Sequence, residues 1–551
     1  MSTRKTLVLL AALLAPAAGA AQDMEMQAQA AGRTLPAGYY QRIARDAAFF
    51  EFKEVGAWPA RTGPDGALAG TLPMLVINAL FSDSPNPPFG SEATQRVLFD
   101  GPNPLGTLTQ FYHEQSNNRL TMTGKVVPWV RTGITELAAV GTQNGLGNDS
   151  RLGEWFVGAL QQADPQVDFG QFDNDGPDNV PNSGDDDGFV DAVVFQYLER
   201  AGSCGGHGVW PHRSSLQGWT ANNQPYATQD LRPNGQPVRV SNYITQSARN
   251  CTGDDPANIS VIAHEMGHII GLPDLYHSVD GILPSQRRWV LGCFALMAGG
   301  SWGCGNGSTY GVTQRPSHMG PWEKIMKGWL DVQEMEVADR QEAVLGPVNS
   351  THRVLRINLL PNGQEYLLVE YRPRVGFDLA LPASGVLVYR VDRGGEQAPC
   401  PTCPRRYGVS LLEADGDSAL LKTHVEGGNR GVAGDMFTAG KTWVLNEATR
   451  PSTRLADGQP SGLRLAITVE GDHARILVVD VGALISLDKL LQPFTGKGAA
   501  LTAEERARLD EIGNRNGRYD VGDLRAYLRN YPEAMPVGAV LPPGLMQGTT
   551  P

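Results

Sequence analysis

The sequence predicts a first domain of α+β class, a β-sandwich-like domain after it, and a short helical tail. Apolar runs typical of buried strands alternate with helical patterns up to residue 332, which indicates a sheet covered by helices. From residue 333, short stretches of alternating polarity are separated by Gly and Pro, as in a β-sandwich. With 551 residues, of which 65 are Gly and 38 are Pro, the chain has room for several domains and many turns.

The first 20 residues have the pattern of a secretory signal peptide. Arg4 and Lys5 precede an apolar run at 6–14, and Ala-Gly-Ala at 18–20 fits a cleavage site. The run is too short to cross a bilayer, which takes about 20 residues, and no later segment is long and apolar enough to do so. We therefore expect a secreted, monomeric protein without a transmembrane anchor.

Domain boundaries follow from changes in composition and pattern. Residues 21–69 are Ala-, Gly- and Arg-rich, with one weak helical pattern, and are interpreted as a pro-segment or linker. Residues 70–332 are expected to form the α+β domain, 333–485 the β-rich domain and 486–551 the helical tail. Strands are predicted at 74–81, 120–130, 189–198, 366–371, 386–391 and 476–481, and helices at 107–114, 151–163 and 502–531.

The charge of the chain argues against binding to nucleic acid. The formal net charge is −12, and it becomes −14 when Arg4 and Lys5 leave with the signal peptide. An acidic protein gains no counterion-release energy from a phosphate backbone, and the sequence has no basic stripe interleaved with aromatic residues.

Six cysteines in a secreted chain predict disulfide bonds. Short separations favour Cys293–Cys304 and Cys400–Cys403, which leaves Cys204–Cys251. A thiolate zinc site is the alternative for the Cys-Pro-Thr-Cys sequence at 400–403, although no second pair of that spacing accompanies it.

The most informative motif is His264-Glu265-Met266-Gly267-His268. Because a helix turns by about 100° per residue, both histidines lie on one face and can reach one metal ion, and Glu265 can act on a water bound to it. Asp255 is the expected N-cap of this helix, with Pro256 at its first position. Apolar residues fall on an arc opposite the histidines, which predicts one buried face and one face toward a cleft. The arc consists of Ile259, Ile262, Ala263, Met266, Ile269 and Ile270.

The third ligand of a catalytic zinc ion must come from elsewhere, because such sites take three protein ligands and leave one position for water. A glutamate on a later helix is one source, but the sequence has no glutamate between Glu265 and Glu323. The other source is a residue just past a glycine turn, six positions after the second histidine, which is Asp274. Asp274 is favoured, with His277 or a more distant residue as the alternatives.

Other segments extend this pattern. Met297 lies 23 residues after Asp274 in a Leu-Met-Ala-Gly-Gly-Ser-Trp stretch, which resembles the methionine turn that packs a sulfur beneath a zinc site. This turn, residues 264–276 and the Pro-Trp-Glu-Lys to Lys-Gly-Trp-Leu stretch at 321–330 together resemble the immune inhibitor A family of secreted metalloproteases. The strand at 74–81 and the Thr-Leu-Thr-Gln-Phe-Tyr stretch at 107–112 extend the resemblance upstream, and it covers roughly residues 70–400.

The resemblance implies a zinc endopeptidase with a metzincin-like zincin catalytic domain, made as a zymogen with a pro-segment. Carried over by position, it implies that His264, His268 and Asp274 bind Zn²⁺ and that Glu265 is the general base. Zinc would activate the attacking water, and Glu265 would take its proton and deliver it to the leaving amine of a protein or peptide substrate. The donor to the oxyanion stays open among His207, His212, Tyr276 and Tyr310.

Two acidic turns, at 173–176 and 185–191, predict a structural Ca²⁺ site, because this ion takes about six to eight oxygen ligands. The predicted ligands are Asp173, Asp175, Asp185, Asp187 and Asp191, and a solvated acidic loop is the alternative. The stretch at 514–523 resembles half of a dockerin or EF-hand loop, but Ile512 stands at its first ligand position and cannot coordinate. A pair of packing or docking helices is therefore preferred for the tail.

Two other functional classes remain open. A secreted adhesin or other binding protein could keep a zincin fold without catalysis, but a purely structural zinc site does not need the carboxylate of Glu265. A zinc hydrolase acting on glycans or lipids is compatible with the motif itself.

Overall fold

The structure is a computed structural model. It describes residues 33–46, 48–50, 52, 63, 65–220, 222–251, 253–277, 288–304, 315–337, 340–360, 363–393, 407–480, 485–531 and 534–535. The predicted signal peptide, Tyr310, Cys400 and Cys403 lie outside these ranges. Among the described helices, none has the length and apolar character needed to cross a membrane.

Residues up to 326 build a mixed sheet, a small hairpin and several helices. The strands are β1 (Gly70–Leu80), β2 (Leu120–Arg131), β3 (Val193–Tyr197), β4 (His212–Ser215), β5 (Tyr226–Leu231), β6 (Pro237–Val240) and β7 (Asn242–Ser247). The helices are α1 (Ala37–Ile43), α2 (Ser91–Gln95), α3 (Leu108–Gln115), α4 (Glu136–Val140), α5 (Leu152–Ala163), α6 (Ser260–Ile269) and α7 (Pro321–Met326).

The main sheet has the strand order β2-β1-β3-β7-β4. Its strands run parallel except for β4, which pairs with β7 in the antiparallel direction at the sheet edge. Alternate side chains of β1 enter two cores, since Met74 and Val76 pack in the core that contains α3 and α6, whereas Leu75 and Ile77 pack with α5. Burial on both faces explains why this strand appears in the sequence as a continuous apolar run.

The second half of the chain is built mainly from strands. These are β8 (Asp331–Glu336), β9 (Gln341–Leu345), β10 (Arg353–Asn358), β11 (Glu365–Arg372), β12 (Gly385–Asp392), β13 (Val409–Leu411), β14 (Thr442–Leu445), β15 (Leu463–Glu470) and β16 (His473–Asp480). The helices are α8 (Val348–Thr351), α9 (Leu487–Thr495), α10 (Ala503–Ile512) and α11 (Val521–Asn530). The strands form two sheets, ordered β13-β12-β11-β10-β8 and β14-β15-β16-β9.

The five-stranded sheet β13-β12-β11-β10-β8 is covered on both faces. Leu368 and Leu387 join the core around α3 and α6, whereas Leu367 and Val388 join a core shared with the second sheet. The core around the motif helix therefore continues past residue 332, the predicted domain boundary. The mixture of helices and sheets confirms the predicted α+β class.

Helix α6 differs from its prediction in two ways. It begins at Ser260 rather than after Asp255, because backbone bonds tie the preceding residues to the end of β7: Asn250 N donates to Asp255 O (3.1 Å) and Ala257 N donates to Ala248 O (2.8 Å). The predicted N-cap is therefore wrong. All residues of α6 except Val261 are buried, so the histidine face is covered rather than open to a cleft.

The segment before β1 packs on the first domain. Leu35, Tyr39, Phe49 and Phe50 form a small apolar cluster, and Leu146 and Trp210 of the domain complete it. At the other end of the chain, α9, α10 and α11 share their own core. In the loop before α11, the Asp520 carboxylate accepts hydrogen bonds from the Asn516 side chain (2.7 Å) and from Gly522 N (2.7 Å). This carboxylate caps a helix, which fits the expected pair of packing helices.

Candidate metal centre

The motif helix α6 is followed by a glycine that turns the chain back toward the histidines. Gly271 has a φ of +78°, a conformation that favours glycine, and its N–H donates to His268 O (2.8 Å). Leu272 N also donates back, to Gly267 O (2.9 Å). The turn brings the following residues, including Asp274, alongside the two imidazoles.

Three side chains meet beside α6 at the separations that a zinc ion needs. His264 Nε2 lies 3.1 Å from Asp274 Oδ1, and His268 Nε2 lies 3.2 Å from His264 Nε2 and 3.5 Å from Asp274 Oδ1. Ligands at about 2.1 Å from a tetrahedral zinc ion are roughly 3.4 Å apart, so these atoms match one face of that tetrahedron. The three side chains are buried, at 2%, 7% and 3% exposed for His264, His268 and Asp274.

The orientation of both imidazoles is fixed by backbone carbonyls. His264 Nδ1 lies 2.9 Å from Leu296 O, and His268 Nδ1 lies 2.7 Å from Leu272 O. A carbonyl oxygen only accepts, so each ring carries a proton on Nδ1 and turns Nε2 toward the other ligands. This arrangement of a second hydrogen bond behind each ring is typical of histidines that bind a metal.

Asp274 also fits this role, because its second oxygen, Oδ2, is buried and has no hydrogen-bond partner. Such an atom is costly unless a cation or donor compensates it. His277 is placed differently, with its Nδ1 3.2 Å from the Tyr407 hydroxyl. Among the described residues, the side chains at this site that could together hold a metal ion are His264, His268 and Asp274.

Glu265 faces an arginine that the sequence did not single out. Its Oε2 lies 3.2 Å from Arg213 Nη1, and both side chains are almost fully buried, at 1% and 3% exposed. Arg213 belongs to the edge strand β4, which precedes the motif by some 50 residues. No local pattern links the two, so only tertiary structure could reveal this pair.

Met297 packs directly under the motif helix. Any Cβ added at Gly267 would overlap the Met297 sulfur, so the glycine between the two histidines allows this close contact. Leu275 N donates to Met297 O (2.7 Å), and Met297 N donates to a carboxylate oxygen of Glu323 (2.7 Å). The predicted methionine turn is thus held both from the Asp274 side and from helix α7.

Glu323 is a structural carboxylate rather than a metal ligand. It accepts from Met297 N and also from Gly320 N, at the start of α7. Burial raises the pKa of Glu323 to about 7, although the two amide bonds oppose this shift.

Two arginines from the second half of the chain support the same turn. Arg430 Nη2 donates to Gly299 O (2.8 Å) and Gly303 O (2.7 Å), and Arg372 Nη1 donates to Phe294 O. Both arginines are buried, at 2% and 0% exposed. The turn beneath the site therefore depends on residues far downstream.

The structure describes three of the four residues considered for the oxyanion. His212 is buried in β4, with Nδ1 2.7 Å from Trp210 O and Nε2 2.9 Å from the Tyr243 hydroxyl. Burial lowers the pKa of His212 to about 4, so the ring is neutral at pH 7. His207 is exposed, Tyr276 is buried, and Tyr310 lies outside the described residues.

Part of the predicted calcium loop comes together. One oxygen each of Asp173, Asp175 and Asp191 lies within 4.8 Å of the others, and both oxygens of Asp173 are buried without a hydrogen-bond partner. Burial and the neighbouring carboxylates raise the pKa of Asp173 to about 8. Within the described chain this group does not include Asp185 or Asp187. Asp185 accepts a hydrogen bond from Asp178 N and Asp187 accepts one from Phe189 N.

Two of the three expected disulfides are present. Cys204 bonds to Cys251, and Cys293 bonds to Cys304, which closes a loop that contains Met297. These pairings confirm the sequence prediction. The third predicted bond, Cys400–Cys403, lies outside the described residues.

Comparisons with known proteins find related sequences for part of this chain. Residues 89–330 match the sequence model of the immune inhibitor A peptidase M6 catalytic domain. Immune inhibitor A of Bacillus thuringiensis subsp. alesti is 26% identical over 264 residues, which cover 44% of this chain and 35% of that protein. The pre-pro-metalloprotease PrtV of Vibrio cholerae serotype O1 (strain M66-2) is 26% identical over 258 residues, which cover 43% of this chain and 26% of that protein.

Proposed function

Because residues 89–330 resemble the catalytic domain of the immune inhibitor A family, we propose that this protein is a secreted zinc endopeptidase that hydrolyses peptide bonds of proteins. The observation that carries the proposal is the triangle of His264 Nε2, His268 Nε2 and Asp274 Oδ1 beside Glu265. Two nitrogens and one carboxylate oxygen are a ligand set suited to catalytic zinc, since three protein ligands leave one position for water.

The residues have separate roles in this proposal. A zinc ion held by His264, His268 and Asp274 would supply a Lewis acid that acidifies water and polarises the scissile carbonyl. Glu265 would accept the proton of the attacking water and return it to the leaving amine. Arg213 would balance the charge of Glu265 and fix the direction of its carboxylate.

The activity can be tested by casein hydrolysis with purified protein whose N-terminal segment has been removed. We expect activity that a chelator abolishes and added zinc restores. Glu265→Gln should lower kcat by about 10²- to 10⁴-fold while the bound zinc, measured by mass spectrometry, stays unchanged. Glu470→Gln, at an exposed strand end, is the matched control and should behave as the parent protein. A zinc-loaded parent protein that cleaves no protein substrate would favour a binding protein instead.

The third ligand has its own test. Asp274→Ala should lose most of the bound zinc, since two imidazoles alone hold the ion weakly. His277→Ala is the matched control, because His277 contacts the Tyr407 hydroxyl. Unchanged zinc in Asp274→Ala together with its loss in His277→Ala would show that the assignment is wrong.

Residues 21–69 are proposed to be a pro-segment that keeps the site covered. Ser214 Oγ of β4 donates to Phe49 O, and Phe52 stacks under Arg213, whose guanidinium carbon lies 5.6 Å from the ring centre. Since Arg213 is the partner of Glu265, the segment reaches the immediate surroundings of the proposed base.

A structural Ca²⁺ ion is proposed at Asp173, Asp175 and Asp191. The unpartnered oxygens of Asp173 support it, because a Ca²⁺ ion would relieve the repulsion among three neighbouring carboxylates. Asp191→Asn should abolish the calcium-dependent rise in the unfolding temperature that this site provides. Asp178→Asn, at an exposed position of the same loop, is the control. Equal calcium-dependent rises in both variants would contradict the proposal.

A further inference from the structure

Four carboxylates meet in the second half of the chain, away from both sites described above. Glu413, Asp415, Asp417 and Asp435 each place one oxygen within 4.8 Å of the others. Glu413 and Asp435 are buried, at 3% and 0% exposed, whereas Asp415 and Asp417 lie at the surface. We call this group the 413–435 cluster. The cluster extends from the protein surface into the interior.

One atom of the cluster is left without any partner. Asp435 Oδ2 accepts from Val432 N (2.7 Å), but Asp435 Oδ1 is buried and has no hydrogen-bond partner. Within the described residues, the four carboxylates form no ion pair with Lys, Arg or His. A fully buried carboxylate oxygen that faces other carboxylates is unfavourable unless a proton or a cation lies between them, and a cation can compensate all four carboxylates at once.

The backbone arranges these side chains before any ligand binds. The chain turns at Gly416, with a φ of +72°. Backbone amides then orient each carboxylate: Asp417 N donates to Asp415 Oδ1 (3.2 Å), Ala419 N to Asp417 Oδ1 (2.7 Å) and Leu420 N to Glu413 Oε2 (3.2 Å). Because these side chains are already ordered, little conformational entropy remains to be lost on binding.

The chemistry of the donors selects the class of ion. All four side chains offer oxygen, and neither imidazole nor thiolate belongs to the group. Oxygen-only sites with several carboxylates suit a hard cation, and Ca²⁺ tolerates irregular, flexible coordination better than Mg²⁺ does. We propose that Glu413, Asp415, Asp417 and Asp435 bind one Ca²⁺ ion. This site is separate from the predicted loop at 173–191.

The proposed ion would fasten the segment that supports the methionine turn. Between the two ends of the cluster, Leu420 O accepts from Val290 N (2.9 Å) and Arg430 O accepts from Cys293 N (2.7 Å). The Arg430 side chain holds the carbonyls of Gly299 and Gly303. An ion that joins Asp415 to Asp435 closes this segment into a loop, and its removal would loosen the backbone around residues 293–303.

Calcium chloride titration of the full chain tests the site, with the parent protein first freed of metal by chelator and then reloaded with zinc. Calorimetry should show, besides any binding at the 173–191 loop, a binding event that Asp417→Asn weakens by about tenfold or more, because ligand charge sets affinity. Asp417 is exposed, so this change leaves the core intact. Asp457→Asn, in an exposed turn of the same half, is the matched control. Asp191→Asn should leave this binding event unchanged, which distinguishes it from binding at the 173–191 loop.

Hydrogen exchange provides a second measurement that does not depend on counting ions. Calcium should slow exchange of backbone amides at 413–435 and at 293–303 in the parent protein, and it should fail to do so in Asp417→Asn. The proposal is overturned if Asp417→Asn binds as many calcium ions as tightly as the parent protein. It is also overturned if calcium leaves exchange at 413–435 unchanged. Neither measurement requires peptidase activity, so failure of the proposed function would leave this test intact.

Discussion

The buried ion pair between Arg213 and Glu265 bears directly on the proposed chemistry of the site. Replacing Arg213 with Met leaves the Glu265 carboxylate buried without its partner, which costs about 3–5 kcal/mol when one member of a buried pair is removed. We expect lower kcat and lower stability, with unchanged zinc content, because backbone carbonyls orient the ligand histidines. Arg239→Met, at an exposed position of β6, is the control, and Arg213→Lys should recover part of the loss. Loss of zinc in Arg213→Met would contradict this division of roles.

Gly267 tests the contact between the motif helix and the methionine turn. A methyl group at this position overlaps the Met297 sulfur, so Gly267→Ala should destabilise the protein by about 1–3 kcal/mol through overpacking. In Gly158→Ala, also within a helix, the nearest atoms to the new Cβ are 3.5 Å away, so this control should be neutral or stabilising. Urea unfolding measures both. Equal effects of the two substitutions would show that the methionine turn moves to accommodate the added methyl group, which would contradict the prediction.

At the scale of elements, strand β4 should make stability depend on pH. His212 is buried with its pKa lowered to about 4, so its neutral form is favoured in the folded state over the unfolded chain. Its contribution is therefore complete above about pH 6.5 and is lost as the pH falls toward 4, up to about 3 kcal/mol. The stability difference between the parent protein and His212→Gln should shrink over that interval. A difference that is constant from pH 8 to pH 4 would contradict the assignment.

The sequence predicts those elements whose information is local. The helix predicted at 107–114 is observed at Leu108–Gln115. Thr107 and Gln110 form a capping box at its start, and this motif can be recognised in the sequence. The start of α6 is missed because backbone hydrogen bonds between residues 248–250 and residues 255–257 close a turn that holds the latter outside the helix, and no residue pattern signals this turn. Strand β4 is missed because its His-Arg-Ser-Ser sequence is polar, and its burial comes from packing partners that no periodicity reveals.

The same distinction applies to the candidate site. The candidate residues His264, Glu265, His268 and Asp274 lie within one helix and the turn after it. Their spacing in the sequence is therefore enough to identify them. Arg213, Glu323 and Arg430 approach from three other elements, and their roles depend on contacts across long sequence separations. The burial of the histidine face is not predicted for the same reason, because the residues that cover it come from elsewhere in the chain.

At the scale of the whole molecule, the structure refines where a pro-segment would end. Ala67 and Leu68 are buried in the core around α6, and Leu68 O accepts from Trp329 Nε1 (2.8 Å). A cut after these residues would remove core side chains, so we expect the N-terminus of the active protein near Asp65, just before Ala67. N-terminal sequencing of active material measures this. A start near residue 21 in fully active protein would refute the pro-segment, and a start beyond residue 70 would refute the refined boundary.

The two arginines beneath the methionine turn limit which sequence blocks can be exchanged between related proteins. The family match ends at residue 330, yet Arg372 and Arg430 supply donors to carbonyls at 294, 299 and 303. A fragment cut at 330 would keep the three proposed metal ligands but lose the groups that hold the turn below them. The block of sequence that can be exchanged between relatives without rebuilding the interior therefore extends from about residue 67 to residue 436, well past the limits set by similarity alone.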